Sequence, residues 1–126
     1  MVKGGPQQRG RAHETLVNNF SKWLIRRRFI PARNQAIDVA VETPPVIFEA
    51  EVVGTWTHAV REAVGQLYEY RYWQIADPKA ALVFLASKPV PDDWLHYLES
   101  DRGIGTAWPK GAGFELSRLA RKGLGI

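Results

Sequence analysis

The sequence predicts a mixed α/β fold, because some stretches carry apolar residues at helical spacing and others alternate as strands do. Residues 12–29 contain the apolar stripe of a helix that packs on a core, formed by Leu16, Val17, Phe20, Trp23 and Leu24. Residues 36–53 alternate between apolar and polar or small side chains, which is the period of a β-strand. Residues 80–86 are continuously apolar, as is typical of a strand buried on both faces. The expected architecture is a mixed β-sheet flanked by helices.

The first half of the chain is predicted to form a helix followed by a hairpin. Phe29-Ile30-Pro31 is expected to end the helix, since proline cannot continue one. Two strands follow over residues 36–41 and 46–53. The segment Glu42-Thr43-Pro44-Pro45 between them indicates a turn, because proline presets turn dihedral angles.

The second half is predicted to continue as helix, strand, helix and a small hairpin. A second helix over residues 58–75 has Val60, Ala63, Val64 and Leu67 at helical spacing. The strand at 80–86 follows it. A third helix is expected to start at Pro91-Asp92-Asp93, with Asp92 or Asp93 as its N-cap residue. Short strands around Trp108 and Phe114, split by Pro109-Lys110-Gly111, complete the order.

Length and composition indicate a single domain. The 126 residues are expected to divide into a flexible basic arm over 1–11, one domain over 12–117 and a basic tail over 118–126. The absence of cysteine excludes disulfides and thiolate metal sites, and it favours a reducing cytoplasm. No apolar run approaches the ~20 residues that span a bilayer, so no membrane partner is expected.

Charge is unevenly distributed along the chain. Residues 1–33 carry eight Lys or Arg against Glu14 alone, whereas residues 34–117 carry six against twelve acids. A basic arm and tail around an acidic centre suit a protein that binds phosphates near a metal ion. The run Arg26-Arg27-Arg28 is therefore a candidate contact for nucleic acid. The alternative is that these arginines only solubilise a helix end, where cations also favour the helix dipole.

Three acids stand out because they lie on strand-like apolar stretches. Asp38 lies on the first strand of the predicted hairpin, and Glu49 and Glu51 share one face of the second strand. Pairing of the strands can bring Asp38 beside Glu49 or Glu51. Converging carboxylates repel each other unless protons or a cation intervene, and oxygen ligands suit Mg²⁺ or Mn²⁺. The alternative is that the acids lie on a solvated face of the sheet.

The chain resembles the PD-(D/E)xK nuclease superfamily from Arg11 to about Trp108. The matching segments are His13-Glu14 in the first helix, Ile37-Asp38, Phe48-Glu49-Ala50-Glu51 and, in the second helix, Gln66 followed four residues later by Tyr70. The last is similar to the Gln-x-x-x-Tyr helix of the RecB-like branch. A literal Pro-Asp at Pro91-Asp92 starts a helix and is not assigned to the site.

The resemblance implies a restriction-endonuclease-like sheet and a magnesium-dependent endonuclease that hydrolyses DNA, with RNA as the other substrate. It implies Asp38 and Glu49 as metal ligands, Glu14 as an acid that completes the metal shell, and Gln66 as a catalytic-site residue. Arg61 and Tyr70, on the same helix as Gln66, are expected to contact nucleic acid. His13 has a second interpretation as a buried, hydrogen-bonded histidine.

Glu51 departs from the family pattern, which usually has Lys in this place. Glu51 can hold a metal ion or act as a base, and it can equally be a deactivating substitution. Two function classes therefore remain open, a working nuclease and an inactive nuclease-fold module that binds nucleic acid or a protein. A homodimer is expected because one short chain offers one metal site, with Trp73 and apolar residues of 104–116 as candidate contacts.

Overall fold

The first helix, α1 (Pro6–Arg26), packs its apolar stripe on one face of the sheet. In the computed structural model, residues 6–75 and 77–126 are described. The predicted helix is confirmed but starts at Pro6, so the predicted flexible arm is helical from that residue onward, and its first five residues lie outside the described part. The helix ends at Arg26, and Arg28 follows in the left-handed region with φ 70°.

A single mixed sheet of six strands forms the centre of the described chain, in the spatial order β1 to β6. Its three middle strands run parallel to each other, and the outer strands add antiparallel pairs on both sides. The strands are β1 (Pro31–Ala32), β2 (Val39–Val41), β3 (Val46–Glu51), β4 (Ala81–Ala86), β5 (Ile104–Lys110) and β6 (Gly113–Leu116). The prediction of a mixed α/β fold is confirmed.

The predicted hairpin is present as β2 and β3, and its register decides where the acids lie. Val39 is opposite Phe48 and Val41 is opposite Val46 in the antiparallel pair. Extension of this register by one residue puts Asp38, directly before β2, opposite Glu49. Because side chains alternate along a strand, Asp38, Glu49 and Glu51 project toward the same face.

The remaining helices are α2 (Trp56–Tyr70), α3 (Asp92–His96) and α4 (Arg118–Leu124). The first two continue as π-helical segments, Arg71–Ile75 and Tyr97–Arg102. Thr55 caps α2 with its side-chain hydroxyl, which accepts a hydrogen bond from the His58 amide. The predicted N-cap at Asp92 or Asp93 is wrong. Pro91 is the N-cap residue, and the two acids lie in the first turn, where the helix dipole favours negative charge.

Two apolar layers enclose the sheet. On one face α1 and α4 cover a core centred on Phe20, Phe48 and Leu124. On the other face α2 and α3 cover a core that contains Leu67 and Phe84. β4 is buried on both sides, as its continuous apolar sequence predicts.

The residues predicted to form a basic tail are instead part of the fold. They form α4, whose Ala120 and Leu124 are buried in the core beside β5. The backbone of α4 approaches the sheet at Gly105, where a side chain would lie 2.5 Å from the Ala120 nitrogen. The domain therefore continues to the end of α4, because small residues on both partners allow this close contact.

The apolar residues of the C-terminal hairpin do not form a free surface. Ile104, Ala107 and Leu116 are buried within the chain, so the expectation that they contact a second copy is wrong. Trp73 is 71% exposed, and the homodimer stays a prediction. Within the described residues, no helix combines the length and apolar character needed to cross a membrane.

The approach of α4 to β5 is testable with a pair of glycine substitutions. Gly105→Ala puts a methyl group against the Ala120 backbone and is expected to lower the free energy of unfolding by at least ~2 kcal/mol. Gly65→Ala, at an open position of α2, is the control and is expected to raise it by about 1 kcal/mol. Urea unfolding followed by circular dichroism measures both. Equal stability of Gly105→Ala and wild type would contradict the described contact.

Candidate metal centre

Three carboxyl groups lie together where β2 begins and β3 ends. The hairpin brings Asp38 next to Glu49, and the alternation of β3 adds Glu51 on the same face. The charge of Asp38 raises the pKa of both glutamates, and each glutamate also shifts the pKa of the other. The predicted convergence of the three acids is thus observed, on the face of the sheet that α2 covers.

Asp38 is the member of this group that is stabilised as a carboxylate. Its Oδ2 accepts a hydrogen bond from the Ala50 amide at 2.9 Å and lies 3.2 Å from His13 Nε2. Burial pushes the pKa of Asp38 upward, but the bonds from His13 and Ala50 outweigh burial, so the pKa lies below its ordinary value. Asp38 is therefore ionised and fixed in orientation.

Glu49 is in the opposite situation. It is 4% exposed, and its Oε1 has no hydrogen-bond partner among the described residues. Burial, followed by the neighbouring Glu51 and Asp38, raises the pKa of Glu49 to about 10. Ionised carboxylates only accept hydrogen bonds, so neither neighbour can donate to Glu49 unless a proton is present. A proton or a cation is needed at Oε1.

Glu51 is half-buried at the end of β3. Burial raises its pKa, the contact with Glu49 lowers it, and the charge of Glu62 raises it again. The net shift is upward. Glu51 is thus less buried than Glu49, and it holds a proton more readily than an exposed glutamate does.

The α2 face completes the surroundings with a ladder of polar side chains. The Tyr70 hydroxyl donates to Gln66 Oε1 at 2.6 Å, and Gln66 Nε2 donates to Glu62 at 3.2 Å. The predicted side-by-side arrangement of Gln66 and Tyr70 is confirmed. Burial and then the charge of Glu49 raise the pKa of Tyr70 to about 12, so the phenol stays protonated and keeps its hydrogen bond to Gln66.

His13 is the side chain of α1 that contacts the acids. The hydrogen bond to Asp38 raises the pKa of His13, although partial burial opposes it. Its side chain is 31% exposed and hydrogen-bonded to Asp38. For the expected buried, hydrogen-bonded histidine, the hydrogen bond is therefore confirmed and the burial is wrong. Sequence reasoning noted His13 but did not assign it to the site, because its partner lies twenty-five positions away. Glu62 was missed too, although its spacing of four from Gln66 is a usable signal.

Glu14 is engaged elsewhere. Both of its oxygens accept from the guanidinium of Arg33, at 3.0 and 3.2 Å, and the pair is largely exposed. The hydrogen bond from Arg33 lowers the pKa of Glu14. In this arrangement the Glu14 side chain is paired with Arg33 and is not part of the cluster of Asp38, Glu49 and Glu51. Its role as a metal ligand stays a prediction.

The predicted nucleic-acid contacts divide between two regions. Arg61 is exposed on α2, one residue before Glu62, while Tyr70 faces the acids from the end of the same helix. Arg26, Arg27 and Arg28 lie at the other end of α1 from His13. That separation is about 20 Å along the helix axis, from a rise of ~1.5 Å per residue.

The donor set fits a hard divalent cation, although the side chains are not arranged around one. In the described chain, no three His, Asp or Glu side chains form a group shaped to hold a metal ion. The oxygens themselves suit Mg²⁺ or Mn²⁺, and the unpartnered Oε1 of Glu49 is the atom that a cation would satisfy. Asp38 and Glu51, both half-buried, are the neighbouring carboxyl groups that could share the cation.

Comparison with known proteins adds no assignment. No family model, curated protein or solved structure matches the chain. The fold is a mixed α/β sheet with the buried carboxyl group of Glu49 on a central strand.

The burial of Glu49 predicts a characteristic dependence of stability on pH. Its folded-state pKa lies above the ordinary 4.5, so between about pH 4.5 and 10 the folded protein holds a proton that the unfolded chain has lost. Stability in EDTA is therefore expected to fall as pH rises through this window. Glu49→Gln should be flatter with pH, and at pH 8 it should be more stable by about 1–3 kcal/mol, because the amide donates to its neighbours.

Urea unfolding at pH 5, 7 and 9 measures this dependence. Glu42→Gln, an exposed position in the β2–β3 turn, is the control and is expected to follow wild type. Parallel pH profiles for wild type and Glu49→Gln would show that Glu49 is not the strained group.

Proposed function

We propose that the protein is a magnesium-dependent endonuclease of the PD-(D/E)xK type that hydrolyses phosphodiester bonds in DNA. The observation that carries the proposal is the buried Oε1 of Glu49, which has no hydrogen-bond partner among the described residues and has two further acids as neighbours. A purely structural carboxylate in this place would be destabilising, whereas a cation ligand has a reason to be there.

Asp38 and Glu49 would hold the ion, and Glu51 would add a third oxygen. Asp38 is already ionised and held by the Ala50 amide, so it is preorganised as a ligand. When bound, Mg²⁺ polarises a phosphate and lowers the pKa of coordinated water. The absence of cysteine leaves oxygen and imidazole as the available ligands, which agrees with this choice of metal.

The other residues of the site have roles that follow from their contacts. His13 fixes Asp38, and because its pKa is raised by this contact, it carries a positive charge next to the acids more readily than an exposed histidine does. Glu51 has a pKa above the ordinary range, and this makes it suitable to accept a proton from an attacking water. Tyr70 and Gln66 close the α2 side of the site.

The fold supports the same assignment in a general way. The resemblance implies a mixed sheet with helices on both faces, and the chain has such a sheet with its acids on a hairpin.

A second function is favoured by two observations at the same site. Glu51 replaces the expected Lys, and Glu14 is occupied by Arg33. Both features suit an inactive descendant that binds nucleic acid or a protein without cutting. The two functions differ in whether the wild-type protein cleaves DNA in the presence of metal.

Asp38→Asn tests the metal site. The amide still accepts from Ala50 but has lost the charge, so cleavage of supercoiled plasmid in Mg²⁺ should fall at least ~100-fold while the protein stays folded. Asp92→Asn is the control, because Asp92 belongs to the literal Pro-Asp that starts α3, and it should cut as wild type. Full activity of Asp38→Asn would show that Asp38 is not a metal ligand and that the active site lies at other residues.

Glu51 distinguishes the two functions. In a working nuclease, Glu51→Ala should lose nicking in Mg²⁺ or Mn²⁺, and Glu51→Lys should keep or increase it, since an ammonium can orient water while Asp38 and Glu49 hold the ion. In an inactive module, wild type should not nick plasmid, and Glu51→Lys alone would restore cutting. Metal-dependent nicking that survives Glu51→Ala would contradict the catalytic role of Glu51.

A further inference from the structure

A basic groove runs along α1 on the side of the molecule where β5 and β6 form their hairpin. It consists of two adjoining clefts of about 430 and 440 Å³ that share Arg26 and Phe114 in their walls. The α1 wall of the first cleft is a single stripe at helical spacing, formed by Thr15, Asn19, Lys22 and Arg26. The second cleft lies beyond Arg26, between the end of α1 and α4.

The near end of the groove reaches the end of β3, where it lies beside the backbone of the candidate metal centre. Ser87, in the wall of the first cleft, follows directly after β4. Its amide donates to the Glu51 carbonyl at 3.1 Å, and its hydroxyl accepts from the Val53 amide at 2.9 Å. The groove thus begins beside the backbone of Glu51 and leads away along α1.

The far end of the groove is formed by arginines from two elements. Arg26, Arg27 and Arg28 come from the end of α1, and Arg121 comes from α4. The guanidinium of Arg27 lies over the buried ring of Trp23, 4.3 Å from its centroid. This stacking limits the freedom of the side chain and leaves its N–H groups free to donate outward.

Within the described residues, no acidic side chain in the groove compensates the positive charge. No Asp or Glu lines either cleft, and among the described residues Lys22 and the four arginines form no ion pair. Five clustered cations repel one another, and an anion spread along the groove would remove this repulsion.

Arg28 is an independent sign that these cations are there for a ligand. Its φ of 70° lies in the left-handed region, in the place after a helix that usually belongs to glycine. A side chain with a Cβ is disfavoured there by about 1–2 kcal/mol. The chain nevertheless has arginine at this position, next to three further arginines in the same cleft.

We propose that the groove binds the phosphate backbone of a DNA strand and directs the strand toward the candidate metal centre formed by Asp38, Glu49 and Glu51. This inference rests on the proposed function. It adds Lys22 and Arg121 to the predicted DNA contacts, and it places the bound strand along α1, from the acids toward the arginines. The ~20 Å between His13 and Arg26 corresponds to about six base pairs at ~3.4 Å each along a strand. DNA that extends at least this far on one side of the scissile phosphate should reach the arginine end.

The test measures binding without cleavage. Affinity for a 20-base-pair DNA duplex in EDTA is followed by fluorescence anisotropy at several salt concentrations, for wild type, Arg28→Gly and Arg121→Gln. Each substitution should reduce the slope of log K against log salt by about 0.9. Arg28→Gly should be at least as stable as wild type, because glycine adopts the left-handed conformation freely. Arg118→Gln, on α4 outside both clefts, is the control and should keep the wild-type slope.

The outcomes separate this inference from the proposed function. Reduced slopes together with an inactive wild type would support the groove and contradict the nuclease. Wild-type slopes for both Arg28→Gly and Arg121→Gln, in a protein that cuts plasmid, would overturn the groove alone. No binding of DNA by wild type at low salt would also overturn it.

Discussion

The buried carboxyl group of Glu49 constrains the rest of this structure. It lies on β3, a central strand with partners on both sides. Its Oε1 is buried there, and no donor among the described residues bonds to it. An ionised carboxylate in that environment is strongly disfavoured unless a proton or cation is bound. The neighbouring Asp38 further disfavours the ionised form of Glu49, because hydrogen bonds from His13 and Ala50 keep Asp38 negatively charged. The site is thus electrostatically unbalanced within the chain, and a divalent cation is the ligand that would balance it.

The fold gives α1 two distinct tasks. Its apolar stripe closes one face of the sheet, while His13 in its first half orients Asp38. The end of the same helix carries the arginines that, with Arg121 of α4, form the basic cleft. A negative site and a positive groove are therefore held at a fixed separation by one rigid helix. This arrangement is suited to a long polyanion more than to a small anionic ligand.

Local patterns in the sequence were sufficient to predict the elements that lie close together in the chain. The alternation of β2 and β3 predicted that the acids share a face, and the spacing of four predicted the contact between Gln66 and Tyr70. Contacts between distant residues were not predictable in the same way. The pairing of His13 with Asp38 depends on how α1 crosses the sheet, and no local pattern encodes that.

The errors at the two ends of the chain have related causes. The sequence before residue 12 is polar and glycine-containing, so its helical start at Pro6 gave no apolar periodicity to detect. The segment of α4 is short and basic, and only Ala120 and Leu124 turn inward. Its place against Gly105 results from the absence of side chains there, a feature visible only when both partners are known. Glu14 was assigned to the metal shell by resemblance. Instead, it binds Arg33, the residue directly after β1.

The most direct test of the account is a crystal of the wild-type protein soaked with Mn²⁺ and measured at the manganese absorption edge. We expect an anomalous peak for one Mn²⁺ ion coordinated by Glu49 Oε1 and Asp38, with the Glu51 carboxylate turned toward the ion. An empty site at Glu49 in millimolar Mn²⁺, or an ion bound only at other residues, would contradict it.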